Sequence, residues 1–328
     1  MKFPFKRLLS AIGVVTLLSI VGASPTHAAT AGAGLEISPA LVQLNATPGE
    51  TYKINLTVKN VTSNALDFTS TVSDFGAKGE TGEPNVILDP AVTLPTSIKS
   101  WVAGLPDFSL APGQTKALTA AITIPGNAEP GGHYGVLRFT GTLSGSSNSG
   151  VAQIASAGTL VLIRAAGDAK EQLNLITYEA SVNNNPSAFF ENGPITLVSR
   201  FQNTGNVHVV PTGHIDVTDT FGNPVETLTI NGDNGNVLPS SIRRFESTFG
   251  DKKFLFGRYT ANINIAYGTT GGAIVRSISF WVIPWKLVLI GLLALATIIY
   301  ILRGLIRRYN RHIIRNAHRY APKTKHKK

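Results

Sequence analysis

The sequence predicts an all-β protein with two tandem immunoglobulin-like β-sandwich domains, an N-terminal signal peptide and one C-terminal transmembrane α-helix. Three observations lead to this prediction. Apolar and polar residues alternate with a period of two in stretches such as "TYKINLTVKN" and "YTANINIAYG", which is typical of strands with one exposed face. A strand-and-turn unit occurs twice along the chain, and an apolar segment lies near each end.

The N-terminus has the composition of a secretory signal peptide. Lys2, Lys6 and Arg7 precede a largely apolar run over 8–23, and small residues follow in "SPTHAATAGAG". This order of basic, apolar and small residues predicts export and removal of residues 1–31. An uncleaved membrane anchor is the alternative interpretation.

The region between the apolar ends is long enough for two domains, predicted over 32–170 and 171–282. The chain has no cysteine, so an exported fold of this composition depends on apolar cores and not on disulfides. Residues 32–280 carry 15 basic and 19 acidic side chains, a net charge of −4. The whole chain has a net charge of +10, but its basic excess is confined to the C-terminal tail, so no nucleic-acid partner is expected.

The repeated unit explains the short motif "GGHYGVLRF". Each half has a strand ending in Asn, a polar turn, a Pro-containing turn before a third strand, and Gly-x-Tyr at the start of a fourth. The two copies share Tyr134 and Tyr259, whereas His133 in one copy is replaced by Arg258 in the other. A tyrosine at this corner of a sandwich bonds backbone with its hydroxyl while its ring packs in the core. We therefore predict structural corners at both tyrosines and no catalytic role for His133.

Other candidates for chemistry are weak. The sequence has no recognisable catalytic, nucleotide-binding or metal-binding motif in a suitable context. The stretch "NGDNGN" over 231–236 has one carboxylate and is predicted to be a hairpin turn and not a calcium loop. We expect a protein that is not an enzyme and that has no cofactor or metal.

The first half contains an extra segment, Ser73 to Ser109, which is longer than a plain connection between strands. Long ordered insertions are often functional. Within it, Trp101, Asp107 and Phe108 are the predicted ligand-facing residues. The alternative for Trp101 is the buried tryptophan of a sandwich core.

The C-terminal segment predicts one membrane crossing over 283–302 and a basic cytoplasmic tail over 303–328. The run from Leu287 to Leu302 carries no charge, and ten Lys or Arg residues without any Asp or Glu follow it, which places the tail inside the cell and the β domains outside. A buried core helix is the alternative for the apolar run, and the tail is predicted to be either an amphipathic helix or a disordered basic end. The predicted membrane-interface residues are Trp281, Trp285, Lys286, Arg303, Arg307 and Arg308.

The order of these features resembles the bacterial WxL-interacting surface proteins. The resemblance rests on "LAPGQTKALTAAITIP", "PGGHYGVLRF", "GTLVLIRAAGD" and "FQNTGNVHVVPTG", followed by the membrane helix and basic tail. It implies a first domain that binds peptidoglycan and a second that binds a partner protein or host ligand, and it assigns no individual binding residue. We accordingly expect non-catalytic binding of a cell-wall polymer or a wall-associated protein. The alternatives are a chaperone-like or scaffold subunit of a membrane assembly and, with less support, a wall hydrolase.

Overall fold

The computed structural model describes residues 30–32, 34–145 and 155–320. Most of the predicted signal peptide, the Ser/Gly-rich stretch over 146–154 and the last eight residues of the basic tail lie outside the described residues. The described part is mostly β-sheet, with one 3₁₀ turn at Lys99–Trp101 and one C-terminal α-helix, α1, at Trp285–Tyr320. The prediction of an all-β portion followed by one apolar helix is confirmed at this level.

Eleven strands form the first half of the described chain, arranged in two sheets. One sheet has the order β1-β2-β4-β9-β7, and the other has the order β3-β11-β10-β5-β6 with β8 also paired to β5. The strands are β1 (Thr30–Gly32), β2 (Leu35–Ser38), β3 (Leu41–Ala46), β4 (Thr51–Asn60), β5 (Leu66–Ala77), β6 (Pro84–Ile87), β7 (Val102–Ala103), β8 (Phe108–Leu110), β9 (Thr115–Thr123), β10 (Gly131–Leu143) and β11 (Ala155–Ala165).

Nine strands form the second half, again in two sheets. Their orders are β13-β12-β15-β18 and β14-β20-β19-β16-β17. The strands are β12 (Leu173–Val182), β13 (Asn185–Pro186), β14 (Phe189–Phe190), β15 (Ile195–Asn203), β16 (Thr212–Thr218), β17 (Pro224–Ile230), β18 (Ile242–Phe249), β19 (Gly257–Tyr267) and β20 (Gly272–Val282).

Each half has its own hydrophobic core between its two sheets. The period-two alternation of β4 buries Ile54, Leu56 and Val58, which join Leu137 and Phe139 of β10 in the first core. The second core takes its largest side chains from three different strands: Phe201, Phe249 and Phe280. The alternating pattern therefore acts as expected, because one face of each strand is removed from water while the other stays solvated.

The strand β11 is apolar on both faces, which explains the continuous run "TLVLI" in its sequence. Val161 and Ile163 lie in the first core, whereas Leu162 lies on the opposite face in a third cluster with Phe75 and Tyr134. Leu238 of the second half packs against this third cluster. The outer face of the β10–β11 sheet is thus covered by the second half of the chain.

The helix α1 starts almost directly after the last strand. β20 ends at Val282 and α1 begins at Trp285. The helix therefore starts two residues after the predicted start of the crossing at residue 283, because Pro284 suits the position just before a helix and not its interior. Among the described residues, one helical stretch, Trp285–Arg311, is long and apolar enough to cross a membrane, and none of its apolar window is buried. The helix α1 is therefore not a buried core helix, which was the alternative for this apolar run. The helix also continues past the predicted end at 302 to Tyr320.

Two asparagines at equivalent places in the two halves tie turns to neighbouring strands. Asn60 and Asn203 end β4 and β15 and are fully buried. The amide of Asn203 donates to the carbonyls of Val207 and Val237, both at 2.8 Å, and its Oδ1 accepts from the Gly205 N–H at 2.9 Å. Asn60 makes the corresponding bonds in the first half. One side chain thus satisfies three buried backbone groups in the second half.

We predict that Asn203→Ala lowers the free energy of unfolding of the second half by about 2–4 kcal/mol, because buried carbonyl and N–H groups lose their partners. Chemical denaturation of the detergent-solubilised chain, followed by tryptophan fluorescence, measures the change. Asn85→Ala, at an exposed position of β6, is the control and should change stability by less than about 0.5 kcal/mol. Equal effects of the two substitutions would contradict the stabilising role of the Asn203 side chain.

Candidate binding site at the junction of the two halves

Tyr134 joins the two halves of the chain through its hydroxyl group. The Tyr134 oxygen accepts a hydrogen bond from the backbone N–H of His208 at 2.9 Å, and the two rings lie edge to face with centroids 5.6 Å apart. Burial raises the pKa of Tyr134 well above the usual tyrosine value, so the hydroxyl stays neutral. Its position is that of a structural link and not of an acid or base.

The two corner tyrosines therefore differ in what they bind. Tyr259 accepts from the N–H of Phe256 at 3.2 Å, three residues earlier, and its ring lies between Phe249 and Phe280 in the second core. Tyr134 was predicted to make the same local corner, but its hydroxyl instead reaches a residue 74 positions along the chain. The physical reason is that the second half covers the face on which Tyr134 lies.

The glycines before Tyr134 allow the halves to approach closely. Gly131 has a φ of +128°, and a Cβ there would lie 2.7 Å from the carbonyl oxygen of Asn206. The N–H of Gly132 donates to that same oxygen at 2.8 Å. Asn206 also donates from its amide to the carbonyl of Pro130 at 3.0 Å. A side chain at residue 131 would force these two segments apart.

A buried ion pair lies beside the Tyr134 link. Arg164 at the end of β11 bonds to Glu171, whose carboxylate also accepts from the N–H of Thr269 at 2.7 Å. Burial alone would raise the pKa of Glu171, but these bonds outweigh it and the pKa is lowered. Partial burial and, to a smaller extent, the charge of Arg164 together lower the pKa of His208 to about 4, although the carboxylate of Glu171 opposes the shift. His208 is therefore neutral at pH 7, as its half-buried position favours.

The extra segment of the first half makes a second link. Glu80, between β5 and β6, forms a two-point ion pair with Arg200 of β15, and its backbone carbonyl accepts from the N–H of Arg244 at 2.9 Å. The bond to Arg200 lowers the pKa of the Glu80 carboxyl group. This part of the segment therefore contacts the second half, which explains why the connection is longer than a turn between strands.

The three residues predicted to face a ligand do not form one surface. Phe108 is 8% exposed and stacks on Phe68 in the first core with ring centroids 5.1 Å apart, so its ring does not face solvent. Asp107 is exposed, and its Oδ1 accepts from the N–H of Ser70 at 2.8 Å. Trp101 is half-buried and packs against the first core and the ring of His133, 4.4 Å away.

Three of the predicted membrane-interface residues, Trp281, Trp285 and Lys286, lie at the end of the second half where α1 begins. Trp281 is 39% exposed and Trp285 is 55% exposed. The ammonium group of Lys286 lies 3.0 Å from the carboxylate of Glu191 and 5.5 Å from the ring of Trp285. Arg303, Arg307 and Arg308 are exposed along α1.

A cavity of about 180 Å³ lies between the two halves. The side that comes from the first half is mainly apolar, with Leu41, Phe75, Leu160 and Leu162, but it also includes Glu83. The other side contains Arg243, whose Nη1 donates to the carbonyl of Asn236 at 2.8 Å. Burial lowers the pKa of Arg243 slightly below that of a free guanidinium, so the group remains a cation. The predicted turn over 231–236 forms part of this wall.

The edge strand β3 borders this cavity through Leu41, which is 41% exposed. β3 pairs in parallel with β11 on one side, and within the described residues no strand pairs with its other side. Its six residues, "LVQLNA", include no proline and no charge. Every other edge strand in the described part has at most three residues or carries a proline or charges: β1, β7, β8, β14, β6 with Pro84, β13 with Pro186, β17 with Pro224, and β18 with Arg243 and Arg244. Since proteins usually protect long edges with such residues, β3 is unusual.

The described residues offer no group of three or more His, Asp or Glu side chains placed to hold a metal ion. What the junction does offer is an unpaired strand edge, an apolar cavity and one guanidinium group. An unpaired strand edge is the feature to which an extended peptide adds in known cases of strand addition.

Comparisons with known proteins add little to this description. No known protein family profile matches the chain, and no curated protein sequence matches it. Among solved structures, a chain of the chaperone–tip adhesin complex of CFA/I fimbriae is 13% identical, with a TM-score of 0.38, 75% of this chain covered and 98% of that one. The YadV chaperone is also 13% identical, with a TM-score of 0.36 and coverages of 75% and 100%. A protein of unknown function from Porphyromonas gingivalis is 14% identical, with a TM-score of 0.30 and coverages of 74% and 98%. At such scores the likeness carries no functional argument.

We predict that the junction weakens in mild acid because of His208. Its pKa is about 4 in the folded chain and about 6.5 in an unfolded one. The unfolded state therefore binds the additional proton between these values, and stability falls as the pH drops from about 6.5 towards 4, by at most about 1.4 kcal/mol per pH unit.

Thermal unfolding of the wild type and of His208→Asn between pH 7.5 and 4.5 measures this effect. The asparagine variant should lose less stability on acidification, since it has no imidazole to titrate. His214→Asn, at an exposed position, is the control and should follow the wild type. Parallel pH profiles for the wild type and His208→Asn would contradict the role of His208.

Proposed function

We propose that this chain is a membrane-anchored, non-catalytic binding protein of the bacterial cell surface. We further propose that it binds an extended segment of an exported or wall-associated protein along the outer edge of β3. The observation that carries the proposal is this unprotected edge, which opens onto an apolar cavity at the junction of the two halves.

The backbone geometry of β3 supports binding by strand addition. The carbonyls of Ala40 and Ala46 accept from the N–H groups of Leu160 and Ala166 on the β11 side. Because N–H and C=O groups alternate in direction along a strand, the groups of Leu41, Gln43 and Asn45 point away from β11. An extended peptide can bond to these three residues, as occurs when a peptide adds a strand to a sheet edge.

The cavity supports selection among such peptides. A peptide on β3 lies beside Leu41, so one of its apolar side chains can enter the space lined by Phe75 and Leu160. The guanidinium group of Arg243 on the far wall suits an acceptor on the same peptide, and because Glu83 and Asp233 also line the cavity, a neutral carbonyl fits better than a carboxylate. The preferred ligand is therefore an extended segment with an apolar residue near an acceptor group.

The architecture supports a role at the cell surface. We assign one immunoglobulin-like domain to each half, over 32–170 and 171–282, with the N-terminal signal peptide directing export. The apolar stretch at Trp285–Arg311 supports a single crossing, and the basic residues that follow place the C-terminus in the cytoplasm. The resemblance to WxL-interacting proteins favours a wall-associated partner, and in that family the first domain is the one expected to bind peptidoglycan.

A chaperone-like role is the second candidate, and the same edge favours it. Strand addition is also how pilus chaperones hold their subunits. A chaperone would release its client, whereas a surface binding protein would keep it. Pulse-chase cross-linking in cells separates the two roles, because a client adduct declines during the chase and the adduct of a stable partner does not.

We predict that Gln43→Pro weakens partner capture. Proline removes the outward N–H of residue 43 and leaves the bonds from β3 to β11 in place. With a photo-cross-linker at Asn45 of the full chain in cells, we expect a discrete adduct that falls about tenfold in the proline variant, which corresponds to about 1.4 kcal/mol.

Two controls accompany this measurement. Gln43→Ala keeps the N–H and should retain the adduct. A cross-linker at Thr119, exposed on the other sheet of the first half, should give none. Equal adducts in the proline and alanine variants would contradict strand addition. An adduct at Asn45 that disappears on digestion with a muramidase would instead assign the site to wall polymer.

A further inference from the structure

We infer that the second half of the chain contacts the membrane through aromatic side chains from two loops, two strands and the first residue of α1. We call this set the aromatic footing: Phe189, Phe221, Phe254 and Phe256, together with Trp281 and Trp285. The inference rests on the proposed membrane anchor and adds the surface that fixes how the β domains sit on the bilayer.

The four phenylalanines of the footing are unusually exposed. Their exposed fractions are 67% for Phe189, 88% for Phe221, 76% for Phe254 and 60% for Phe256. No other phenylalanine in the described part of the chain is classed as exposed. Several exposed aromatic rings concentrated at one end of a fold indicate an interaction surface.

The sheet pairing places all of these residues at the end where α1 begins. Phe189 pairs with Trp281, and Gly257, directly after Phe256, pairs with Val282 at the end of β20. The turn that carries Phe221 is bonded to the same place, since the N–H of Arg258 donates to Thr220 Oγ1 at 3.0 Å. The footing therefore surrounds the start of the helix.

The turn of Phe221 is built to present its ring outwards. Asp219 Oδ1 accepts from the N–H groups of Phe221 at 2.8 Å and Asn223 at 2.9 Å. Gly222 has a φ of +83°, which closes the turn. These bonds fix the backbone without using the ring, so the ring of Phe221 is free to contact something outside the fold.

The loop over 251–256 shows the same arrangement. Leu255 is 5% exposed and belongs to the second core, while its neighbours Phe254 and Phe256 remain exposed. The buried Leu255 holds the loop in place, and the alternation turns the two phenylalanines outwards. Lys253 is bonded to Glu226 at 2.9 Å, which further fixes the loop.

A bilayer is the occupant that fits this end of the molecule. The N–H of Ile283 donates to the carbonyl of Phe190 at 2.8 Å, so the chain enters α1 while still bonded to the strand next to Phe189. A span that begins at Trp285 brings the lipid headgroups to the level of the footing. Aromatic side chains are favoured at that depth.

The charges at this end favour insertion of rings and not attraction to anionic lipid. Lys253 and Lys286 are paired with Glu226 and Glu191 respectively, and the other two cations at this end, Lys252 and Arg258, are matched in number by the acids Asp219 and Asp251. Asp219 caps its own turn. The footing should therefore engage zwitterionic lipid as well as anionic lipid.

The test uses the full chain, which has no native cysteine, in phosphatidylcholine nanodiscs. Single cysteines at Phe221, Phe254, Gly232 and Leu293 are labelled with an environment-sensitive fluorophore, and quenching by lipid-attached nitroxides is measured. Gly232 lies in an exposed turn at the far end of the second half, and Leu293 lies in α1. We expect labels at 221 and 254 to be quenched several-fold more than the label at 232.

The outcomes separate the inference from the proposed anchor. Strong quenching at 293, with quenching at 221 and 254 no greater than at 232, would overturn the footing and leave the anchor standing. Absence of quenching at 293 would overturn the anchor and the footing with it.

In a second measurement the fluorophore is placed away from the phenylalanines, so that the label does not replace a residue of the footing. The triple variant Phe221→Ser, Phe254→Ser and Phe256→Ser carries a donor fluorophore at Gly232→Cys, and energy transfer to acceptors in the lipid headgroups reports its height. We expect a broader height distribution than in the parent, because the β domains tilt. Val275→Ser, which removes an apolar side chain that is 71% exposed on β20, is the control and should leave the distribution unchanged. An unchanged distribution in the triple variant would overturn the footing.

Discussion

The outer face of the β10–β11 sheet is apolar and has to be covered, and the relation between the two halves depends on this constraint. Tyr134 and Leu162 are buried on that face beside Phe75, and Leu238 and His208 of the second half lie against this cluster. The ion pair of Glu80 with Arg200 adds a contact at a different point. Because the two halves are attached at two separated points, rotation of one half relative to the other is opposed. The cavity and β3 therefore keep one orientation relative to α1.

Much of the fold is predictable from the sequence because local pattern determines it. The alternation in β4 and the apolar run of α1 both have a local physical cause. The repeat also shows Asn60 and Asn203 at the strand ends, but their bonds to Leu110 and Val237 are long-range. The partner of the Tyr134 hydroxyl is not predictable in the same way. The equivalence of Tyr134 to Tyr259 in the repeat predicts the position of Tyr134 on its strand. The bond from Tyr134 to His208 depends on how the two halves dock, and a local sequence pattern carries no information about docking.

The candidate site shows the same limit. The length of the segment Ser73 to Ser109 indicated a function, but length does not distinguish a ligand surface from an attachment such as that of Glu80. Phe108 and Leu110 are both buried in β8 and the exposed Ser109 lies between them, which is a core pattern that is easy to overlook in a strand of three residues. The sequence "LVQLNA" of β3 looks ordinary, and the absence of proline and charge gains meaning only once β3 is known to be an edge.

The candidate site and the footing lie at opposite ends of the second half, and this separation has a mechanical consequence. Strand ends near Asn206 and His208 contact the first half, whereas the ends near Phe221 and Phe254 surround α1. Under the proposed function, a ligand strand pulled along β3 would transmit force through the junction to the membrane. If either attachment were flexible, the domains would reorient before the ligand bonds were loaded. A rigid corner above a fixed footing is therefore the arrangement that allows a surface protein to hold its partner at a constant height and direction.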